Sequence, residues 1–394
     1  MAIVIEGLED SKSPVEWLDA IFRAAIARNW TDLRFRLFRD PDISAIGQGG
    51  ANSKLVVAAR VRGEMQNVAI LEGKNAEIVV TRIKASSRVS SGPAIGPLDG
   101  LYQYIERDDA GKAVLTLDLR VYVTPTYVGE TIQLRLPSTD GILSLDELRL
   151  TPHNRALLDK VLGLANGLVV VAGPMGSGKS TSLRTFLTEL GGDTLSVWAV
   201  EDPVELKIDG VEQISINAEA GNGWSEVLTG LRRSDLDVLM IGEIRNDDQA
   251  SAALEIGNAG AKVISSIHAN DSVGAVMQLM ELSGAKPHTL GNQLRAAISQ
   301  RLLRTICIDC GGKAPAVGTC DTCDGSGYKG WRPIHEILIL TEDFITALAN
   351  NASVGELRAV ARRDGMRTVR GTAQEVLDAG ETTLEEVRRV LGHD

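Results

Sequence analysis

Apolar residues change their period along the chain, and each change marks an element. From Ser13 to Ala27, Val15, Leu18, Ile21, Phe22, Ala25 and Ile26 recur at helical spacing and predict an amphipathic helix. After Trp30-Thr31-Asp32 the period falls to two. Leu33, Phe35 and Leu37 alternate with Arg34 and Arg36 until Phe38 breaks the pattern ahead of Arg39, and Leu55 to Val61 and Ile132 to Leu136 read as further strands. Ala76 to Ala85 is apolar enough to pack as helix or strand, and Ser86 to Leu98 is a Ser/Gly/Pro-rich loop. An α+β domain over residues 1–136 is expected, its arginines fitting a solvated strand face. Pro137 to Leu143, crowded with Pro, Ser, Thr, Asp and Gly, opens a linker over 137–150.

Beyond the linker, Leu145, Leu148, Leu157, Leu158, Val161 and Leu162 supply an apolar face, and Leu168 to Ala172 reads as a buried strand. The strand runs into Gly173-Pro174-Met175-Gly176-Ser177-Gly178-Lys179-Ser180-Thr181, a G-x-x-x-x-G-K-[ST] loop followed by helical sequence to Leu190. Glycines suit a loop whose backbone N–H groups turn inward on a polyphosphate, in backbone regions that a Cβ resists. Lys179 is placed to reach the β- and γ-phosphates and Ser180 to ligate Mg²⁺, with the helix N-terminus favouring the anion.

Three more apolar runs end in polar residues. Leu195 to Val200 ends in Glu201-Asp202-Pro203-Val204-Glu205, Val238 to Ile241 in Gly242-Glu243-Ile244-Arg245, and Lys262 to Ile267 in His268-Ala269-Asn270-Asp271. Open α/β sheets bind ligands at the carboxyl ends of their strands, so these groups are expected beside the phosphate loop. Glu243, in the Walker B position, is the candidate to orient or deprotonate an attacking water. Glu201, Asp202 and Glu205 are candidates for the metal and water side. Past Glu336 the pattern is helical, with Phe344, Leu348, Leu357, Val360 and Ala361 and then Val376, Leu377, Leu384, Val387 and Val390 at helical spacing; Thr383 is the expected N-cap of the last helix.

Composition narrows the reading. At 394 residues the chain predicts two or three domains, and no apolar run approaches a membrane span. Met1 to Asp10 lacks the basic and apolar regions of a signal peptide, so a cytoplasmic location is expected, with membranes reached only through partners. A net charge of -11 argues against a general nucleic-acid-binding surface. All four cysteines fall between Cys307 and Cys323 as two C-x-x-C pairs, Cys307/Cys310 and Cys320/Cys323. Four thiolates complete a tetrahedral Zn²⁺ shell with no open position, which is a structural site. The nine residues Gly311 to Thr319, with three glycines and a proline, can close the loop between the pairs.

With these blocks in order, the chain resembles the secretion ATPases of type II secretion and type IV pilus assembly, the GspE/PilB-like family of P-loop motors. The resemblance spans about Leu117 to the C-terminus and rests on GPMGSGKSTS, VEDPVE, MIGEIR, SSIHAND and QRLLRTICIDC with CDTCDGSGYKGWRPIHEIL. It implies a RecA-like P-loop ATPase core over 151–300, a zinc module over 301–335, a helical tail over 336–394 and a smaller PAS-like α+β domain at the N-terminus. It implies Glu243 as catalytic glutamate, His268 as a sensor of nucleotide state, and Arg120 and Arg135 as N-terminal-domain arginines reaching the γ-phosphate. The implied cofactors are ATP, Mg²⁺ and Zn²⁺, and the implied assembly is a hexameric ring pushing on an inner-membrane platform protein. The additional N-terminal docking domain of many members is not expected here. The chain departs from the family pattern at Leu236, at Asn246 and at Gly260-Ala261, where the His box usually begins Gly-His. IHAN has the flavour of the type IV secretion branch, so a conjugation or type IV secretion motor, or a pilus-retraction motor, is the alternative; the tetracysteine segment favours assembly. A DNA translocase predicts a basic channel, and a non-hydrolysing scaffold is at odds with intact Lys179, Ser180 and Glu243.

Overall fold

The computed structural model describes residues 5, 8, 11, 13–38, 53–61, 63–108, 110–127, 129–137, 141–191, 194–217, 221–313, 320, 322, 323 and 325–392. Arg39, residues 138–140 of the expected linker and residues 314–319 between the cysteine pairs lie outside them. The chain divides into two compact units, Met1–Gly141 and Ile142–Asp394.

In the first unit, α1 (Pro14–Ala27) starts where Ser13 accepts a hydrogen bond from the Glu16 N–H and Pro14 presets the first helical φ. It is followed by β1 (Asp32–Phe38), β2 (Lys54–Val61), β3 (Glu64–Glu72), α2 (Lys74–Ser86), β4 (Leu98–Arg107), β5 (Ala113–Thr126) and β6 (Gly129–Arg135). The Ala76–Ala85 stretch is thus helical, with Ala76, Val79, Val80 and Ile83 buried. The strands form one sheet in the order β3-β2-β1-β6-β5-β4, antiparallel throughout. Leu33, Phe35 and Leu37 enter the core with Leu18, Ile21 and Phe22 of α1. Fully burying a side chain such as Phe22 or Phe35 contributes about 1.5–3 kcal/mol. Arg34 and Arg36 take the opposite sheet face, as the alternation predicts. Between α2 and β6 the Lys84 ammonium meets the Glu130 carboxylate at 2.7 Å with both side chains buried.

The second unit contains α3 (Pro152–Leu162), β7 (Gly167–Ala172), α4 (Lys179–Leu190), β8 (Val197–Glu201), β9 (Glu212–Ser215), α5 (Trp224–Leu231), β10 (Val238–Ile244), α6 (Asp247–Ala259), β11 (Lys262–Ile267), α7 (Ser272–Ser283), α8 (Pro287–Gln293), β12 (Leu294–Ile306) and β13 (Tyr328–Ile339). Four helices close the chain: α9 (Glu342–Ala349), α10 (Val354–Arg363), α11 (Val369–Asp378) and α12 (Leu384–Leu391). The sheet order is β13-β12-β7-β11-β10-β8-β9, and only β13 runs antiparallel to its neighbour. Apolar clusters cover both faces, one gathering residues of α6, α7 and α10, the other residues of α3 and α4. That double cover explains the unbroken burial of Gly167–Ala172. Sheet structure extends past residue 300 along β12 and returns on β13, so the helical tail begins at Glu342 rather than just after Glu336. The apolar run Ile337-Leu338-Ile339 has no alternation because the strand is packed on both sides.

The three departures from the family pattern fit their places. Asn246 caps α6, its side-chain oxygen accepting from the Gln249 N–H at 3.0 Å, a task that Asn and Asp share. Ala261 is buried in the apolar cluster at the foot of β11, and Leu236 packs against the same cluster. Thr383 caps α12 by accepting from the Glu386 N–H. Among the described residues no helix is long and apolar enough to cross a membrane.

Candidate nucleotide site and cysteine cluster

The strand order sets β7 between β11 and β12, with β10 next to β11, so the phosphate loop, the Glu243 segment and the His268 segment emerge at one sheet edge. Gly176 and Gly178 hold φ of +74° and +85°, in the left-handed region. A Cβ on Gly173 would lie 2.5 Å from Ser177 Oγ and 2.6 Å from the Gln300 carbonyl oxygen. The Lys179 ammonium donates to the carbonyls of Gly173 at 2.7 Å and Pro174 at 3.1 Å, and so lies along the loop. Burial lowers its pKa, which the Glu243 carboxylate opposes and the Arg301 guanidinium reinforces. Ser180 and Thr181 are exposed in the first turn of α4, whereas the buried Ser177 hydroxyl has no hydrogen-bond partner among the described residues. A glycine-rich turn into a helix N-terminus, a lysine, an exposed hydroxyl and a buried hydroxyl left unpartnered among the described residues fit a polyphosphate with its Mg²⁺.

Glu243 leaves the end of β10 largely buried. One carboxylate oxygen lies 2.6 Å from His268 Nε2, and the other accepts from the Arg245 Nε–H. The Asp-box carboxylates divide. Glu201 is buried, 3.1 Å from Arg184 Nη2 on α4 and 3.2 Å from Gln213 Nε2. Glu205 meets the same Arg184 nitrogen at 3.1 Å, while Asp202 is exposed before a cis peptide bond to Pro203. Two carboxylates on one guanidinium tie α4 to the loop after β8. Asn270 and Asp271 continue from His268. The Asn270 carbonyl accepts from Arg301 Nη2 at 2.7 Å, and Asp271 caps α7 and pairs with Arg358 of α10 at 2.5 Å. Arg120 and Arg135 belong to the first unit, opposite one another on β5 and β6, and Arg135 Nε lies 3.2 Å from Asp32.

Arg184, Ser182, Gln300 and Arg301 were not reached from the sequence as site residues. Arg184 reads there as an ordinary helix position, and Gln300 and Arg301 sit in a run with no clear period.

β12 ends at Ile306, immediately before Cys307. The sulfurs of Cys307, Cys310, Cys320 and Cys323 all lie within 4.8 Å of one another, at 3.9 Å for Cys307/Cys320 and 3.6 Å for Cys310/Cys323. Thiolates at about 2.3 Å from a tetrahedral Zn²⁺ stand about 3.8 Å apart, so the four cysteines, all free thiols, fit such an ion. Backbone N–H groups, that of Cys310 foremost, pull the Cys307 thiol down to about 7 against the effect of burial.

A family model describing type II/IV secretion system proteins matches residues 44–389. The chain belongs to the type II/IV secretion system protein family. The match begins well before Leu117, so similarity to this family takes in most of the first unit. Among its relatives, type II secretion system protein HxcR of Pseudomonas aeruginosa is 32% identical over 388 residues, covering 97% of this chain and 81% of that protein. Type II secretion system protein E of Aeromonas hydrophila is 30% identical over 98% of this chain and 77% of that protein. The ATPase DotB of Legionella pneumophila superposes with a TM-score of 0.71 at 17% identity, covering 98% of each chain. The ADP-bound pilus retraction motor PilT superposes with a TM-score of 0.61 at 20% identity, covering 94% of this chain and 95% of that one. These likenesses establish the α/β ATPase fold. Within the secretion family this protein is an ATP hydrolase.

Proposed function

We propose that this secretion-family ATPase works as a homo-hexameric motor that converts ATP hydrolysis into domain movement against an inner-membrane platform protein, driving pilus or pseudopilus assembly or macromolecule export on the cytoplasmic side. The observation that carries this reading is the meeting of the phosphate loop, Glu243 and His268 at one sheet edge, with a four-cysteine cluster at the end of the strand flanking the loop. Residues 1–136 serve as a PAS-like partner domain joined by the 137–150 linker to the RecA-like core of 151–300, the zinc module of 301–335 and the tail of 336–394. Lys179 and the loop N–H groups of Gly173, Met175, Gly176, Ser177 and Gly178 bind the β- and γ-phosphates, with Pro174 shaping the loop and Thr181 beside it, and Ser180 is the protein ligand for Mg²⁺. Mg²⁺ held there would neutralise phosphate charge. Glu243 orients the attacking water and takes its proton at a carboxylate oxygen, held in one orientation by His268 and Arg245. Arg184 holds Glu201 and Glu205 so that the exposed Asp202 faces the metal side. Arg120 and Arg135 are the guanidinium groups that family resemblance assigns to the γ-phosphate. Four thiolates of the cysteine cluster hold Zn²⁺ as a structural ion.

The test is steady-state ATP hydrolysis by the purified chain beside Glu243→Gln, over a concentration series with mass measurement in solution, with and without DNA. Activity that grows with ring formation, ignores DNA and is lost in the variant is expected. Activity that requires DNA would transfer the chain to the translocases.

A further inference from the structure

We propose that Gln300 is a positioning residue of the nucleotide site, bracing the phosphate loop from the neighbouring strand so that its backbone donors are aimed before any nucleotide arrives. β12 lies parallel to β7 with Ser299 opposite Ala172, so Gln300 stands level with the point where β7 gives way to the loop. Its side chain is buried, and each end of its amide is used. Nε2 donates to the Ser177 carbonyl at 2.8 Å, and Oε1 accepts from the Ser182 hydroxyl of α4 at 2.8 Å. One amide therefore joins the loop to the helix that follows it.

The chemistry requires an amide. Ser177 offers a carbonyl, which needs a donor, and Ser182 offers a hydroxyl, which here needs an acceptor. A glutamate would set its own oxygen against the Ser177 carbonyl, and a methionine would fill the space with neither bond. The peptide joining Ser177 to Gly178 is planar and trans, so its C=O and N–H point in opposite directions. Fixing the Ser177 carbonyl on Gln300 therefore turns the Gly178 N–H away from Gln300, towards the loop interior where a phosphate is bound. The loop also packs on this residue. A Cβ on Gly173 would meet the Gln300 carbonyl oxygen at 2.6 Å, and one on Gly178 would meet Gln300 Nε2 at 2.8 Å. Gly173 thus lies against the backbone of Gln300, and Gly178 against its side-chain amide. A brace of this kind acts on both nucleotide states alike, because it shapes the loop and touches no γ-phosphate.

The proposal rests on nucleotide binding at the phosphate loop, and the experiment separates the two. Dissociation constants for fluorescent ATP and ADP analogues, and kcat, are measured on the full chain for wild type, Lys179→Ala, Gln300→Met, Ser182→Ala and the Ser182→Ala/Gln300→Met double variant. Loss of two hydrogen bonds of ordinary strength predicts that Gln300→Met weakens ATP and ADP binding by the same factor, about 10-fold, with kcat at saturating ATP within about threefold of wild type. Ser182→Ala loses one bond and weakens both by about threefold, and in that background Gln300→Met costs less than it does in wild type. A purely structural role lowers the unfolding temperature and leaves both constants unchanged. A folded Gln300→Met protein with wild-type affinities overturns the proposal. Should that variant fail to fold, unchanged affinities in Ser182→Ala overturn it. Wild-type protein that binds nucleotide no better than Lys179→Ala overturns the binding reading and the brace together.

Discussion

His268 Nε2 and Glu243 Oε1 stand 2.6 Å apart, although one residue follows β11 and the other closes β10. The parallel pairing of β10 with β11 shifts register between Ile241 and Ile244, which puts Ile267 beside Ile244, and the polar residues at the two strand ends then meet. With Arg245 on its second oxygen, the Glu243 carboxylate is held in one orientation before a water is present. Glu243→Gln keeps the shape and removes the base, so kcat should fall by about 10²–10⁴ while the nucleotide dissociation constant stays near wild type. His268→Ala removes the orienting donor alone and should cost roughly tenfold in kcat. Single-turnover hydrolysis beside equilibrium binding checks both, and a Glu243→Gln protein with full activity would place the base elsewhere.

At Gly178 the backbone φ of +85° and the Gln300 amide act together. Gly178→Ala asks an L-residue to hold a left-handed conformation, at roughly 1 kcal/mol, and sets a methyl against Gln300 Nε2. Nucleotide affinity should drop by at least tenfold, as the loop relaxes away from the strand. Calorimetric titration with ADP measures it, and an unchanged affinity would mean that the loop tolerates the shift.

The parts legible in the sequence are those where one physical demand writes one pattern. β1 shows its two faces as Leu33-Phe35-Leu37 against Arg34-Arg36, and the phosphate loop announces itself because only glycine fits its turns. β12 and β13 were hidden for the opposite reason. Leu294–Ile306 is packed on both faces, which erases alternation and makes a strand look like a buried helix. Pro333 argues against a strand in β13 until its place at the sheet edge is known. The partners of the site were hidden too. Arg184 is indistinguishable in sequence from a solvated helix residue, and only the packing of α4 turns it onto Glu201 and Glu205. Nothing local in Gln300 says that its amide spans the loop and α4.

The cysteine cluster predicts a metal content. Four sulfurs within 4.8 Å of one another fit one zinc per chain, to be read by elemental analysis of protein purified without chelator. Cys310→Ser and Cys323→Ser each remove a thiolate and should leave well under one equivalent. Because ligand sets of this kind couple metal binding to folding, a strong chelator should lower the unfolding temperature of the wild type and leave that of Cys310→Ser unchanged. Intact protein carrying no metal, with an unfolding temperature indifferent to chelator, would mean that the four thiols pack without an ion.

Glu386 links the tail to the sheet, and its protonation should set part of the acid stability. The carboxylate is buried on α12, accepting from the Arg304 backbone N–H at 2.9 Å and Nε at 2.9 Å, and from Arg389 Nε at 2.7 Å and Nη2 at 2.6 Å. Burial pushes its pKa upward, but the hydrogen bonds from Arg389 and Arg304 outweigh it and hold the group below the usual carboxylate range. A folded-state value lowered beneath the unfolded value of about 4.3 contributes stability that is fully present above that pH and lost as pH falls through the folded value. Glu386→Gln should therefore cost about 2–4 kcal/mol near pH 7, short of the full loss of a buried ion pair because the amide oxygen still accepts. The gap between variant and wild type should narrow as pH falls below the unfolded value of about 4.3 and on through the lowered folded value. Urea unfolding at a series of pH values, at fixed ionic strength, reads the difference directly. A gap that stays constant across the range would mean that Glu386 holds the tail as a neutral acceptor and that the two arginines are neutralised by another group.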